Sequence, residues 1–476
     1  MIDKQKIKDF FNKNVDKIEA RRGANSYYHS EMRRYYRFYV QPHSRILELG
    51  CGSGNLISSL NPSYGVGVDI SDKLIELAKK KYPEITFICD DIEDFDTDDS
   101  FDYIIISGTL ANVYDIHTLL QKVFDIARPD TRILIDHYNE LWRPVINYGQ
   151  ILNIKSPEYI SNWLSIDDIE NFLYISKFQV VNKEFFILFP KYFPIISTIF
   201  NKFIAKLPII RRLCLSQLLV ARKYCSPENI KDISVSVIFT VRDEEGNIES
   251  LVTRTPSLGK HTELVFVEGH SRDGTVDKIH ECIKKYPDKD IKLYHQEGIG
   301  QKDAYRLGFK KAEGKLLCWL EADLTTPPEE VKLLWDTYVA GQGEYINGSR
   351  LVYEMKGNAM PLANMLGNRF FGNIFTLLLG QRFTDTLCGL KAISKRNYER
   401  MDANLTYFGD FDPFGDFEVI FNAIKMNLKV AEVPLHYQPR SYGESKAYGK
   451  STVSFLKHAL LLIRMTWVAF KKFRLL

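Results

Sequence analysis

Apolar runs of five to seven residues, each closing on a glycine or a polar residue, recur along the chain, with stretches of three- and four-residue apolar spacing between them. Runs of that length bounded by turn residues read as buried strands, and the longer spacing reads as helix. The first series comprises residues 45–49, 65–69, 85–89, 101–106 and 132–136, with a helix expected over 71–81, and strand-like stretches over 179–189 and 214–223 close it. A second series opens at Val235–Val241 and continues through Leu264–Val267, a helix over 304–312 and a strand over 315–321. Strands alternating with helices predict parallel sheets, so the expected class is α/β with two doubly wound domains. The first, Rossmann-like, covers 1–224; Ser226, Pro227 and Asn229 mark a linker over 225–232; the second covers 233–476 and ends in an amphipathic helix.

Three segments depart from this rhythm. Helical spacing over 3–40 leads into Tyr27, Tyr28, Tyr35, Tyr36, Phe38 and Tyr39, an aromatic cluster that reads as packing. Residues 190–213 form an apolar insert punctuated by Lys191, Lys202, Lys206, Arg211 and Arg212, a composition suited to an anionic lipid surface and equally to a partner-domain contact. Beside the apolar stretch Leu362–Leu379, the stretch Val453–Phe473 carries Leu456, Leu460, Ile463 and Trp467 at i, i+4, i+7 and i+11. That spacing fits a core-facing helix, whereas Lys457, Arg464, Lys471, Lys472 and Arg474 fit an interfacial one.

Composition narrows the classes. A chain of 476 residues with 45% apolar and 26% charged residues is globular and long enough for two cores. A net charge of +3 is too balanced for a nucleic-acid binder. Seven cysteines, an odd number without a CxxC pair, indicate reduced cytosolic thiols. The charged start MIDKQKIKDFFNKN lacks the apolar core of an export signal. No uninterrupted apolar run approaches the roughly 20 residues of a membrane span, since Asn373, Lys457 and Arg464 break the candidates.

Candidate chemistry gathers at the strand ends. The run 45–49 enters Gly50-Cys-Gly52-Ser-Gly54, a glycine-rich turn before a helix, where the backbone passes close beneath a ligand. Residues 65–69 then end in Asp69, about 20 residues on, where a ribose-binding carboxylate belongs. Asn55 stands where a dinucleotide fingerprint places its third glycine, which disfavours a nicotinamide cofactor. His137, Tyr138 and Asn139 follow a strand end, where a ligand can sit, although a lone histidine more often packs. In the second series the strand 315–321 runs into Glu321-Ala322-Asp323, two carboxylates at i, i+2 before a loop with paired prolines. Such a pair can hold a hard divalent ion that clamps a diphosphate, the leaving group of a sugar nucleotide.

Over residues 20–224 the chain resembles the class I S-adenosylmethionine-dependent methyltransferases. The resemblance makes the turn Glu48, Gly50, Gly52 and Gly54 the methionine and ribose loop, Asp69 the ribose acid, Asp91 with Ile92 the adenine pair and Ser107 a neighbour of the sulfonium. A nucleotide-sensing or scaffold module without turnover is the alternative for this half. Over 233–460 the chain resembles the family-2 inverting glycosyltransferases of the GT-A fold, in their dolichyl-phosphate-mannose-synthase-like, polyprenyl-phosphate branch. Thr240, Arg242, Glu244, Glu268, Lys302, Asp303 and Ala322 then belong to the donor-nucleotide site, and Glu321 with Asp323 to an Mg²⁺ or Mn²⁺ site. Glu268-Gly269 replaces the family's Asp-Asp and leaves uracil or guanine open. Arg350, Arg440 and Lys446 are placed to hold an acceptor phosphate. Asp385 and Asp416 act by electrostatics when the acceptor is a lipid phosphate; for a hydroxyl acceptor one of them takes its proton, and Asp416 lies where related enzymes carry that base.

The expectation is a bifunctional transferase of glycolipid or surface-polysaccharide assembly, peripheral at the inner face of the cytoplasmic membrane. Its partners are a nucleoside-diphosphate sugar, a polyprenyl-phosphate or glycan acceptor and an anionic membrane surface, with no nucleic acid. A soluble hydroxyl acceptor with a non-catalytic nucleotide-binding first half is the alternative.

Overall fold

A computed structural model describes residues 4–152, 159, 162–227, 230–355, 359–402, 408, 412, 415–443 and 452–474, with only the backbone of 402 and 452–459. The chain divides into two compact units, residues 1–224 with 474–476, and residues 225–473.

The first unit is built on β1 (Arg45–Leu49), β2 (Tyr64–Asp69), β3 (Thr86–Cys89), β4 (Tyr103–Ser107), β5 (Arg132–Tyr138), β6 (Phe178–Phe186) and β7 (Ser216–Lys223). They form one sheet in the order β3-β2-β1-β4-β5-β7-β6. The order reverses between β1 and β4, which opens a crevice at the carboxyl ends of these strands. Apolar clusters cover both faces, one holding Tyr35, Tyr36 and Leu134, the other Leu47, Ile106 and Leu120. Burial on both faces explains why the strands read as continuous apolar runs rather than alternating ones.

The second unit repeats the plan with β8 (Ser234–Val241), β9 (His261–Glu268), β10 (Asp290–His295), β11 (Leu316–Glu321), β12 (Tyr345–Ser349), β13 (Lys391–Ser394) and β14 (Val430–Pro434), ordered β10-β9-β8-β11-β13-β12-β14. Phe239, Phe266 and Leu320 lie in its core.

The sheets are mixed, where alternation of strands and helices predicts parallel ones. β7 runs antiparallel to both β5 and β6, and β13 antiparallel to both β11 and β12. A run buried on both faces reads the same in either direction, so direction is invisible to the apolar pattern.

The cations of the two apolar segments part company. Lys206 is buried, 3.3 Å from Glu184, and Arg474 is buried with the first unit on the same Glu184. Neither is a surface cation, because a buried Glu184 claims both. In the helix Thr452–Ala469, Leu462, Met465 and Ala469 face inward while Leu460, Ile463 and Trp467 are exposed, so the stripe read from spacing is the outer face. Arg464 and Lys471 are exposed, and the Lys457 side chain lies outside the described residues. No helix among the described residues is long and apolar enough to cross a membrane.

Candidate active sites

In the first unit, β1 delivers Gly50, Gly52 and Gly54 into left-handed backbone, with φ of 78°, 54° and 75°. Glycine is required twice over at Gly50, where a Cβ would lie 2.3 Å from Thr109 Oγ1. Asp69, at the end of β2, accepts the Gly52 N–H at 2.8 Å and the Ser71 N–H at 3.0 Å, so its carboxylate ties the glycine turn to the neighbouring strand. Glu48, Gly50 and Ser107 line a cavity of about 140 Å³ with Tyr28, His29 and Asp136. Burial pushes the Glu48 carboxyl up to about 8, although it accepts the Ile57 N–H at 3.0 Å. Burial likewise lifts Asp136 to about 6 against hydrogen bonds from Ser107 and from Tyr36 Oη at 2.5 Å. Burial, then the charges of Arg22 and Arg33, lowers His29 to about 4.

Asp91 stands away from that cavity, in an ion pair of 2.6 Å with Lys4 of the helix Lys4–Lys13, and the partly buried Ile92 packs on the core. His137 is buried, its Nε2 accepting the Leu164 N–H at 3.4 Å. Asn139 Nδ2 donates to the carbonyls of Arg212 and Cys214, so both residues serve packing rather than a cavity wall.

In the second unit a cavity of about 720 Å³ opens at the carboxyl ends of β8 and β11. It brings together Thr240, Arg242 and Glu244 from the end of β8, Glu321, Ala322 and Asp323 from the end of β11, and Arg350, Asp416 and Arg440 from distant segments. Burial and the adjacent Asp323 charge push Glu321 up to about 7. Gly389 backs this carboxylate, since a Cβ there would lie 2.5 Å from it. Asp323 accepts from Thr325 N–H at 3.0 Å and from Arg440 Nη2 at 2.7 Å, and Arg440 Nη1 reaches Glu244 at 3.1 Å.

The donor set fits a hard divalent ion. Glu321 and Asp323 both line one cavity, and burial with the Asp323 charge outweighs the Arg350 charge at Glu321, so a further cation would favour its ionised form. Among the described residues no group of three or more His, Cys, Asp or Glu side chains gathers.

Other expected residues lie behind the wall. Asp385 is fully buried and grips Arg350 through Nε at 2.7 Å and Nη2 at 2.9 Å; burial would raise its carboxyl, but the guanidinium outweighs that and holds it low. Glu268 turns back onto the Ser271 N–H and onto His295 Nδ1 at 3.1 Å, because the residues after β9 coil into a tight turn. Lys302 pairs with Glu418 at 2.7 Å, and Asp303 accepts the Gly298 N–H at 3.2 Å. Lys446 lies outside the described residues.

Sequence reasoning passed over Lys391, whose fully buried ammonium is bonded to the Asp416 carboxylate and to the Cys388 carbonyl. A lysine opening an apolar strand is its only signal. Arg22, which donates to Ser53 Oγ at 2.6 Å beside the glycine turn, had none.

Comparison with known proteins agrees with this division. Residues 41–175 match the family model described as a methyltransferase domain, and residues 236–401 match that of glycosyl transferase family 2. The chain thus carries a methyltransferase domain and a family 2 glycosyl transferase domain. A dolichol-phosphate mannosyltransferase of Pyrococcus furiosus is similar at 31% identity over 49% of this chain and 64% of its own length. An undecaprenyl-phosphate 4-deoxy-4-formamido-L-arabinose transferase of Shewanella sediminis is similar at 28% identity over 45% of this chain and 62% of its own. A malonyl-(acyl-carrier protein) O-methyltransferase of Priestia megaterium is similar at 30% identity over 29% of this chain and 53% of its own. The chain spans less than two thirds of each of these relatives.

Proposed function

We propose that the second unit transfers a sugar, with inversion, from a nucleoside diphosphate to a polyprenyl-phosphate-type acceptor, and that the first transfers a methyl group from S-adenosylmethionine, both in glycolipid or surface-polysaccharide assembly. The observation that carries the reading is the cavity in which Glu321 and Asp323 face Arg350 and Arg440. Two carboxylates and two guanidiniums on one wall suit a substrate pair in which both partners carry phosphate.

Thr240, Arg242, Glu244 and Ala322 line this cavity and would take the donor nucleotide. Glu268, Lys302 and Asp303 would act there only by shaping its turns, given their bonds elsewhere. Glu321 and Asp323 would hold Mg²⁺ or Mn²⁺, which neutralises charge developing on the diphosphate. Arg350 is oriented by its two bonds to Asp385, and Arg440 spans Glu244 and Asp323. Both guanidiniums would receive the acceptor phosphate, with Lys446 as the third cation of the expected set. An acceptor phosphate oxygen, already ionised, attacks the anomeric carbon opposite the departing diphosphate, so no strong base is needed.

Asp416 favours the phosphate acceptor over a hydroxyl. Its carboxylate is already committed to the buried Lys391 ammonium, whereas a base must lie within hydrogen-bond reach of an acceptor hydroxyl. The exposed stripes Leu362, Leu366, Phe370 and Leu460, Ile463, Trp467 give this unit an apolar exterior consistent with a peripheral place on a membrane and a lipid acceptor.

In the first unit, Glu48 and the turn Gly50–Gly54, with Asp69, would take the methionine and ribose portions of S-adenosylmethionine, Asp91 and Ile92 would border the adenine, and Ser107 would stand beside the sulfonium. Access to Asp91 requires the Lys4 ion pair to part.

One incubation tests both halves: the protein with a panel of sugar nucleotides, Mg²⁺ or Mn²⁺ and methyl-labelled S-adenosylmethionine, offered polyprenyl phosphate or free saccharides, then partitioned between organic and aqueous phases. Sugar label in the lipid phase and release of adenosylhomocysteine support the reading. Sugar appearing only on free saccharides would instead favour a hydroxyl acceptor, and absence of adenosylhomocysteine would leave the first unit a nucleotide-binding module.

A further inference from the structure

The helix Arg143–Ile151 in the first unit is inverted. Val145 and Tyr148, three residues apart on one face, are exposed, as are Leu141 in the turn before the helix and Leu152 just after it, while Ile146 on another face is buried. The start of this helix is fastened to the insert 190–213. Trp142 Nε1 donates to the Leu213 carbonyl at 2.8 Å, and Asn139 Nδ2 donates to the Arg212 carbonyl at 2.7 Å. The insert is built the same way round. Its polar groups turn inward, with Asn201 bonded to the Phe189 backbone and to Tyr27 Oη and Ser197 Oγ bonded to the Lys191 and Phe193 carbonyls. Its apolar side chains turn outward, among them Ile195 at 74% and Ile209 at 84% exposure.

The charge of this face narrows what can cover it. Between Glu184 and Glu228 the chain has no acid, and within the insert Lys191 and Arg212 are exposed among the apolar side chains. A second copy would bring the same cations onto this face, which opposes self-association. An anionic lipid interface takes both components at once, aliphatic and aromatic side chains below the headgroups and lysine or arginine among them.

We propose that the face formed by the helix Arg143–Ile151 and the insert 190–213 docks the first unit on an anionic lipid surface, a contact separate from any made by the second unit. The same face borders the methyltransferase cavity in the chain. The insert bonds Tyr27 and, through Lys206 Nζ, Tyr35 on the helix Ser26–Tyr39, whose Tyr28, His29 and Met32 line that cavity. Docking therefore sets the cavity close to the membrane. The surface does not depend on the methyltransferase reading.

The test is flotation of the full chain with vesicles of phosphatidylcholine containing one third phosphatidylglycerol, beside phosphatidylcholine alone, across a salt series. The variant Tyr148→Glu, Ile195→Glu, Ile209→Glu changes only exposed side chains, so its melting temperature should match the parent. Binding of the parent to anionic vesicles, weakened by salt and reduced at least about tenfold in the variant, is the expected result. Equal flotation of parent and variant would overturn the proposal, leaving binding to other surfaces, as would failure of the parent to float even at low salt. A concentration-dependent dimer abolished by the triple change would overturn it in favour of a second copy. Calorimetry of S-adenosylmethionine on both proteins keeps the two readings apart: loss of cofactor binding in the parent defeats the methyltransferase reading while flotation still decides the surface.

Discussion

Asp136 holds a carboxyl in a place that disfavours its charge. Burial lifts it from 3.8 to about 6 despite hydrogen bonds from Ser107 and Tyr36, so the folded chain holds this proton more tightly than the unfolded chain does. Its contribution to stability is complete below 3.8 and is lost as pH rises through about 6. At pH 8 the charged group costs the folded state about 3 kcal/mol relative to a neutral one. Asp136→Asn keeps the shape and an acceptor for Tyr36 without the charge. The variant should match the parent at pH 4 and exceed it by up to about 3 kcal/mol at pH 8, measured by denaturant unfolding at both values. A constant difference across that range would show that the carboxyl titrates normally. Burial raises the Asp69 carboxyl as well, but its carboxylate is committed to the Gly52 and Ser71 amides. Asp69→Ala should weaken S-adenosylmethionine binding about tenfold or more, since charge-assisted bonds are worth about 1.5–3 kcal/mol. Unchanged affinity by calorimetry would remove Asp69 from the cofactor site.

The turn from Phe383 to Leu390 shows how an element, rather than a residue, assembles the second cavity. Asp385 grips Arg350, Gly389 leaves room for Glu321, and Lys391 beyond it anchors Asp416. Removing Asp385 leaves the Arg350 guanidinium buried without its partner, a change that typically costs about 3–5 kcal/mol. Asp385→Ala should therefore lower stability by that order and abolish sugar transfer together, whereas a purely catalytic aspartate would lose activity at unchanged midpoint. Much of this element was legible in sequence: Asp385, Asp416 and Arg350 were singled out, and the structure places all three around one cavity or directly behind it. Their division of labour was not. Whether a carboxylate faces a cavity or a guanidinium depends on χ angles and partners far away in the chain, which spacing does not encode. The strands at the cofactor and nucleotide ends were legible because burial on both faces leaves unbroken apolar runs. The direction of β7 and β13 was not, nor was the outward face of the helix Thr452–Ala469, where apolar stripes occur on both sides and periodicity alone cannot choose.

At the scale of the whole molecule, the described residues that line each cavity belong to one unit, the smaller cavity taking residues between Arg22 and Tyr138 and the larger residues between Thr240 and Arg440. Each unit also has its own core on its own sheet. Among the described residues the two linings share none, so local damage to one site should stay local, as expected for separate compact units. Asp323→Asn is the sharpest probe. The amide preserves one acceptor, for the Thr325 N–H, and its NH2 replaces the oxygen that receives Arg440, which keeps Glu244; the loop should hold, while the charge that a divalent ion requires is gone. Sugar transfer in Mg²⁺ or Mn²⁺ should fall by two orders of magnitude or more, about 2.7 kcal/mol in the transition state, with the unfolding midpoint unchanged. S-adenosylmethionine affinity, measured by calorimetry on the same preparation, should equal that of the parent. Full sugar transfer by this variant in chelator-treated buffer resupplied with metal would remove Asp323 from the metal site, and Glu321 alone could not then be defended as a clamp. A parallel fall in cofactor affinity would instead show that the two units are energetically coupled.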